Sequence, residues 1–167
     1  EVGDYVLAEV LPGVAGTAHF ELRSGRSYMP VAGDLLVGAL AERFATLEAT
    51  GSFRAVGDDD LMHGLTGGGC FGALTSLSRF GKRLMSLRYR GHLVKDGAKI
   101  TMGGSVPRQE SERSFEISVV LLVGTSMSAG KTHSGGIAVR QLVELGHRIV
   151  AAKLTGAGRW RDTLSFE

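Results

Sequence analysis

Hydrophobic positions along this 167-residue chain follow two rhythms, and the change falls near residue 115. Before it, short extended runs are broken by glycine. Tyr5–Leu11 reads as a strand ending in the turn pair Pro12-Gly13, and Ala18–Leu22 as a second strand closed by Ser24-Gly25-Arg26. Leu35–Leu40 follows the turn pair Gly33-Asp34. Leu84–Val94 alternates in part, and Asp96-Gly97 then reads as a hairpin turn into Ala98–Met102. Within Ala39–Ala49, residues Leu40, Phe44 and Leu47 share one helical face, so a short helix is expected there. Closely spaced short strands predict a small β-rich barrel or sandwich over residues 1–105.

Residues 103–116 are polar and aperiodic, and the stretch 106–115 is expected to be a linker. Ile117–Val123 is then a nearly continuous apolar run rich in β-branched residues, the pattern of a strand buried on both faces of a parallel sheet. Gly124–Gly130 reads as a loop and Lys131–Leu145 as a helix, with Gly146 where a helix stops; Arg148–Leu154 returns as a second apolar strand. Strand, loop, helix and strand predict a βαβ unit, so residues 116–167 are expected to begin an α/β domain with a parallel sheet.

Composition narrows the class. Hydrophobic residues are 43% and charged residues 22%, a globular mixture. Glycine, at 25 residues, is about twice its usual share, which points to many tight turns and to backbone approaching a ligand. Cys70 is the one cysteine, so no internal disulfide forms and a reducing cytoplasm is the expected setting. No apolar run approaches the ~20 residues of a membrane helix. The chain opens on Glu1 and stops at Phe166-Glu167, from which a piece of a longer protein is expected. Net charge is +2 but segregated: Arg79, Lys82, Arg83, Arg88, Arg90, Lys95 and Lys99 stand against Asp96 alone in residues 79–99. Such a strip attracts phosphates or forms a solvated strand face. Nucleic acid is not the expected partner.

The chemistry concentrates in Gly124-Thr125-Ser126-Met127-Ser128-Ala129-Gly130-Lys131-Thr132. A phosphate-binding loop needs backbone N–H groups, a helix N-terminus behind them, a lysine and a hydroxyl. Gly130 would let backbone approach the phosphates, and Thr125, Ser126, Met127, Ser128 and Ala129 would complete the cradle. Lys131 would reach the β- and γ-phosphates as the catalytic cation, Thr132 Oγ would ligate Mg²⁺, and His133 stands beside that hydroxyl. The match to G-x-x-x-x-G-K-[ST] is offset by one residue, with Thr125 at the first position and Gly124 before it.

The wording Gly-Thr-x-x-x-x-Gly-Lys-Thr resembles the loop of dethiobiotin synthetase and related P-loop proteins of the SIMIBI class. Ala151-Ala152-Lys153-Leu154-Thr155-Gly156-Ala157-Gly158 is similar to the element after the first helix in that class. The combination also resembles a group of P-loop proteins that pair an N-terminal domain with an NTPase domain. The likeness covers residues 117–162. It implies ATP or GTP with Mg²⁺ as ligands, phosphoryl transfer to or activation of a small carboxylate, or hydrolysis, and a homo-oligomer as the expected state. It also implies that Lys153 contacts substrate or phosphate. The chain departs from that pattern in His133-Ser134-Gly135-Gly136, where two glycines cost roughly 1 kcal/mol each relative to alanine, and in lacking a second acidic strand. The alternative reading is a nucleotide-sensing or assembly module, with little turnover, whose β-rich domain makes partner or self contacts.

Other residues carry weaker readings beside ordinary ones. Asp162 is a Mg²⁺-side carboxylate or an ordinary loop Asp beside two arginines, and Thr155 shares the strand-end position of Lys153. Asp58-Asp59-Asp60 reads as a solvated turn rather than a cation loop. Gly67–Gly72 reads as a bend rather than an oxyanion loop. His63 and Cys70 form a nucleophile–base pair only if the fold joins them.

Overall fold

The computed structural model describes residues 1–13, 19–22, 24–107, 114, 116–125, 129–155, 159, 164 and 166. The chain divides into two compact units, Glu1–Val106 and Pro107–Glu167.

The first unit is built on β1 (Tyr5–Val10), whose side chains alternate: Val6, Ala8 and Val10 are buried, while Tyr5, Leu7 and Glu9 are partly solvated. β1 pairs antiparallel with both β4 (Leu35–Leu40) and β9 (Ser86–His92). β9 pairs with β7 (Leu61–Gly64), β7 with β8 (Cys70–Leu77), and β8 returns parallel to β4 through Ala39–Cys70 and Leu40–Phe71. Five strands therefore close into a ring, which removes its free edges. β8 also pairs with β6 (Ala49–Ser52), and β6 with β5 (Glu42–Ala45), an antiparallel extension beyond the ring.

Two bulges bend the ladder. Leu7 opposes Gly91 and Ala8 opposes Tyr89, so Arg90 is extra; Thr50 opposes Ser76 and Gly51 opposes Leu74, so Thr75 is extra. Two small hairpins are added: β2 (Phe20–Glu21) with β3 (Ser27–Tyr28), and β10 (Val94–Lys95) with β11 (Ala98–Lys99). The second turns through Asp96 and Gly97, both left-handed at φ 52° and 78°, the twist that a two-residue hairpin requires. The interior holds Val6, Phe20, Leu40, Met62, Phe71, Met85 and Leu87, with Phe20 edge-on to Phe71 at 6.0 Å between centroids.

The helix expected over Ala39–Ala49 does not form. That stretch is the end of β4, then β5, the turn closed by Glu48 N donating to Ala45 O at 2.8 Å, and β6. The ladder partners on β6 and β8 decide the conformation. Leu40 enters the barrel, while Phe44 and Leu47 stay exposed. Ala18–Leu22 contracts to Phe20–Glu21, and its residue 18 lies outside the described residues.

In the second unit the loop ends at α1 (Lys131–Glu144). Gly146, at φ 85°, donates to Val143 O, and His147 donates to Leu142 O, which satisfies the last carbonyls. The parallel α/β domain expected of residues 116–167 is overturned. Among the described residues, neither 117–123 nor 148–154 is in a strand, and the parallel pairing seen is β4–β8 in the other unit. The molecule is a mostly antiparallel β sheet with one helix of more than a single turn among those described. The physical reason is that an apolar run becomes a strand only when ladders form beside it. Here Val123 is 81% and Val150 93% exposed. Segment 117–123 still meets the helix at one point: a Cβ on Gly135 would lie 3.2 Å from Leu122 Cδ1 and 3.1 Å from the Phe166 ring. The expected linker, 106–115, lies largely outside the described residues. Among the described residues, no helix is long and apolar enough to cross a membrane.

Candidate phosphate-binding loop

Of segment 124–132, residues 124, 125 and 129–132 are described, and regular structure begins at Lys131. Gly130 precedes the helix at φ 81°, a left-handed conformation that a side chain would strain, although nothing lies within 4 Å of a Cβ there. Its requirement is conformational. The requirement at Gly124 is spatial: a Cβ would lie 2.9 Å from Lys131 Cδ, 3.0 Å from Cγ and 3.2 Å from Nζ. The lysine stem therefore lies against the backbone at Gly124.

The helix start is electropositive for reasons besides Lys131. Gly130 has no side chain to cap the first turn, and no acidic residue stands in that turn. The helix dipole adds partial positive charge at this end. Thr132 is half-buried one residue into the helix, and His133 is exposed beside it. Thr125 and Ala129 are exposed, whereas Ser126, Met127 and Ser128 lie outside the described residues. Lys153 is half-buried but not on a strand, contrary to expectation, and Thr155 is exposed. Asp162 lies outside the described residues.

Mg²⁺ takes oxygen ligands, keeps several waters and needs only one or two protein groups when phosphates supply the rest. Thr132 Oγ fits that donor set. Among the described residues, no group of three or more His, Cys, Asp or Glu could hold a metal by itself.

The remaining candidates resolve into structural roles. His63 Nδ1 accepts from Leu74 N at 3.2 Å, and burial holds this imidazole below its usual pKa. Cys70 N meets Thr66 Oγ1 at 3.4 Å, and its carbonyl accepts from Leu65 N. Their hydrogen bonds run to other partners. Asp59 Oδ1 accepts from Leu61 N and Asp60 N donates to Gly57 O, so the three aspartates form an exposed turn. Gly69 O accepts from Ala39 N, so the Gly67–Gly72 bend joins β4 to β8.

The sequence carried no signal for a polar cluster in the first unit. Asp4, 3% exposed, accepts from His92 Nε2 at 3.1 Å and from Lys99 Nζ at 3.3 Å. Tyr89 Oη lies 2.5 Å from His92 Nδ1. The partners are 88 and 95 residues from Asp4, too far for a local pattern.

No protein-family model, curated protein or solved structure matches this chain.

Proposed function

We propose that residues 124–132 bind the phosphates of a nucleoside triphosphate, ATP or GTP, together with Mg²⁺. The observation that supports this reading is the approach of the Lys131 side chain to Gly124 at a helix start whose N-cap is the left-handed Gly130. In that role the loop amides and Lys131 Nζ face phosphate oxygens, and Thr132 Oγ takes one Mg²⁺ position. Bound Mg²⁺ would supply charge neutralisation on the β- and γ-phosphates. Lys131 would add to it at the transferred group, the basis for phosphoryl transfer, ligation or hydrolysis, with a small carboxylate as the acceptor the resemblance implies.

A specific observation favours the second reading, nucleotide sensing with little turnover. The described carboxylates of this unit are Glu116 and Glu144. Glu144 ends the helix, roughly 20 Å along the axis from Lys131 at 1.5 Å per residue. Neither stands within α1's first turn to position a water or an acceptor.

Calorimetric titration of the whole chain with ATP and with GTP, each with Mg²⁺ and with EDTA, tests the binding. Heat with at least one nucleotide is expected. Thr132→Ala should keep the EDTA isotherm and lose the Mg²⁺-dependent gain. Absence of heat with both nucleotides would refute the reading. Release of diphosphate or phosphate at saturation distinguishes turnover from sensing.

A further inference from the structure

Two reverse turns lie side by side where the β5–β6–β8 extension ends. Gly81 N donates to Ser78 O at 2.8 Å, closing the turn 78–81. Ser78 N donates to Glu48 O at 2.8 Å, tying it to the turn at 45–48. A Cβ on Gly81 would lie 2.5 Å from that same carbonyl, so the turns pack backbone to backbone. This tethered tip displays Leu47, 65% exposed, and Phe80, 82% exposed, while Leu77 at the end of β8 is 38% exposed. Single exposed apolar residues are ordinary. Here two come from turns joined by main-chain hydrogen bonds, and they are held outward.

The turn at 78–81 carries positive charge. Arg79, Lys82 and Arg83 are exposed in the same turn region, and the Arg79 guanidinium lies 4.9 Å from the Phe80 ring centroid. Residues 61–95 contain no Asp or Glu. The nearest acid on the partner turn, Glu48, is paired with Arg43.

We propose that this tip docks on the surface of an anionic lipid bilayer. Phe80 and Leu47 enter the interfacial layer, and Arg79 and Lys82 face headgroup phosphates. Charge complementarity selects an anionic surface. The pairing of an aliphatic with an aromatic side chain favours lipid over single-stranded nucleic acid, because Leu47 offers no face on which a base could stack. Such docking is peripheral and needs no spanning helix.

The test is co-sedimentation of the whole chain with phosphatidylcholine vesicles, with and without phosphatidylserine. Binding is expected only when phosphatidylserine is present, and should weaken as salt rises. Neutralising Arg79 and Lys82 to alanine should reduce partitioning about fivefold per base, on the order of 25-fold together. Phe80→Ser with Leu47→Ser should cost at least about tenfold, with unchanged melting because both sites are exposed. Retained binding in that double variant would overturn the proposal, since the exposed apolar residues of 117–123 would then be the lipid contact. No binding to phosphatidylserine vesicles would also overturn it, and capture of an oligonucleotide in their place would reassign the tip to nucleic acid.

Discussion

Gly38→Ala should lower the stability of the barrel by about 3 kcal/mol, the upper range for overpacking a filled core, and lower Tm by roughly 15 °C for a domain of this size. Gly38 has no left-handed backbone, so its requirement is space. A Cβ there would sit 2.5 Å from Phe71 Cε2 and Cζ and 2.6 Å from Gly69 O. Phe71 is fully buried and packed edge-on against Phe20, so its ring has nowhere to retreat. Gly69 O is engaged by Ala39 N at 2.8 Å, beside the parallel pairing that closes the ring, so the backbone is held as well. Gly104→Ala is the control: its nearest neighbour would be 3.7 Å away, and the change should stay within about 0.5 kcal/mol. Thermal and urea unfolding of both variants measure the difference. Equal midpoints would mean that β4 and β8 do not approach each other as described.

The second large effect concerns ligand affinity. Lys131→Ala should weaken Mg²⁺–nucleotide binding about 100-fold, since losing a charge-assisted contact to phosphate costs about 3 kcal/mol and each 1.4 kcal/mol is tenfold. Alanine is a good helix former, so α1 should persist and far-UV dichroism should not change. Gly124→Val supplies an independent check. Its side chain would collide with the Lys131 stem at 2.9–3.2 Å, so it should reduce affinity while leaving the lysine charge in the chain. Affinity unchanged in Gly124→Val and lost in Lys131→Ala would separate the charge from the approach to Gly124. Affinity unchanged in both would remove phosphate binding from this loop.

Much of the local structure was legible in the residues. Leu35–Leu40 occupies the strand its apolar run suggested, Tyr5–Leu11 contains β1, and Asp96-Gly97 turns the hairpin its composition demanded. Lys131–Glu144 and the Gly146 cap follow from helical periodicity and a terminal glycine. These features depend on neighbours within a few residues. Ala39–Ala49 reads as helix because its helical face matches by chance, whereas its ladders run from β5 to Ala49–Ser52 and from Ala39, Leu40 and Ala49 to Cys70, Phe71 and Leu77 on β8. The stretch 117–123 was misread in the opposite sense: its composition suits a buried strand, and no ladder forms on it.

The candidate loop divides along the same line. The residue types of segment 124–132 and its place before a helix could be read directly, because phosphate chemistry needs that lysine, hydroxyl and flexible backbone in one short span. That Lys131 lies against Gly124, and that Gly130 is left-handed, are properties of the folded chain. The Asp4–His92–Lys99 cluster and the Leu47–Phe80 tip left no trace in the sequence, since each joins turns and strands brought together by pairing alone. Sequence by itself determined short-range conformations: turns, helix limits and the chemical character of the loop, all governed by backbone sterics and local hydrogen bonding. Tertiary structure alone decided which apolar runs became strands, which glycines are required by space, and which distant charges meet, because burial and β-ladders are pairwise properties that no single segment carries.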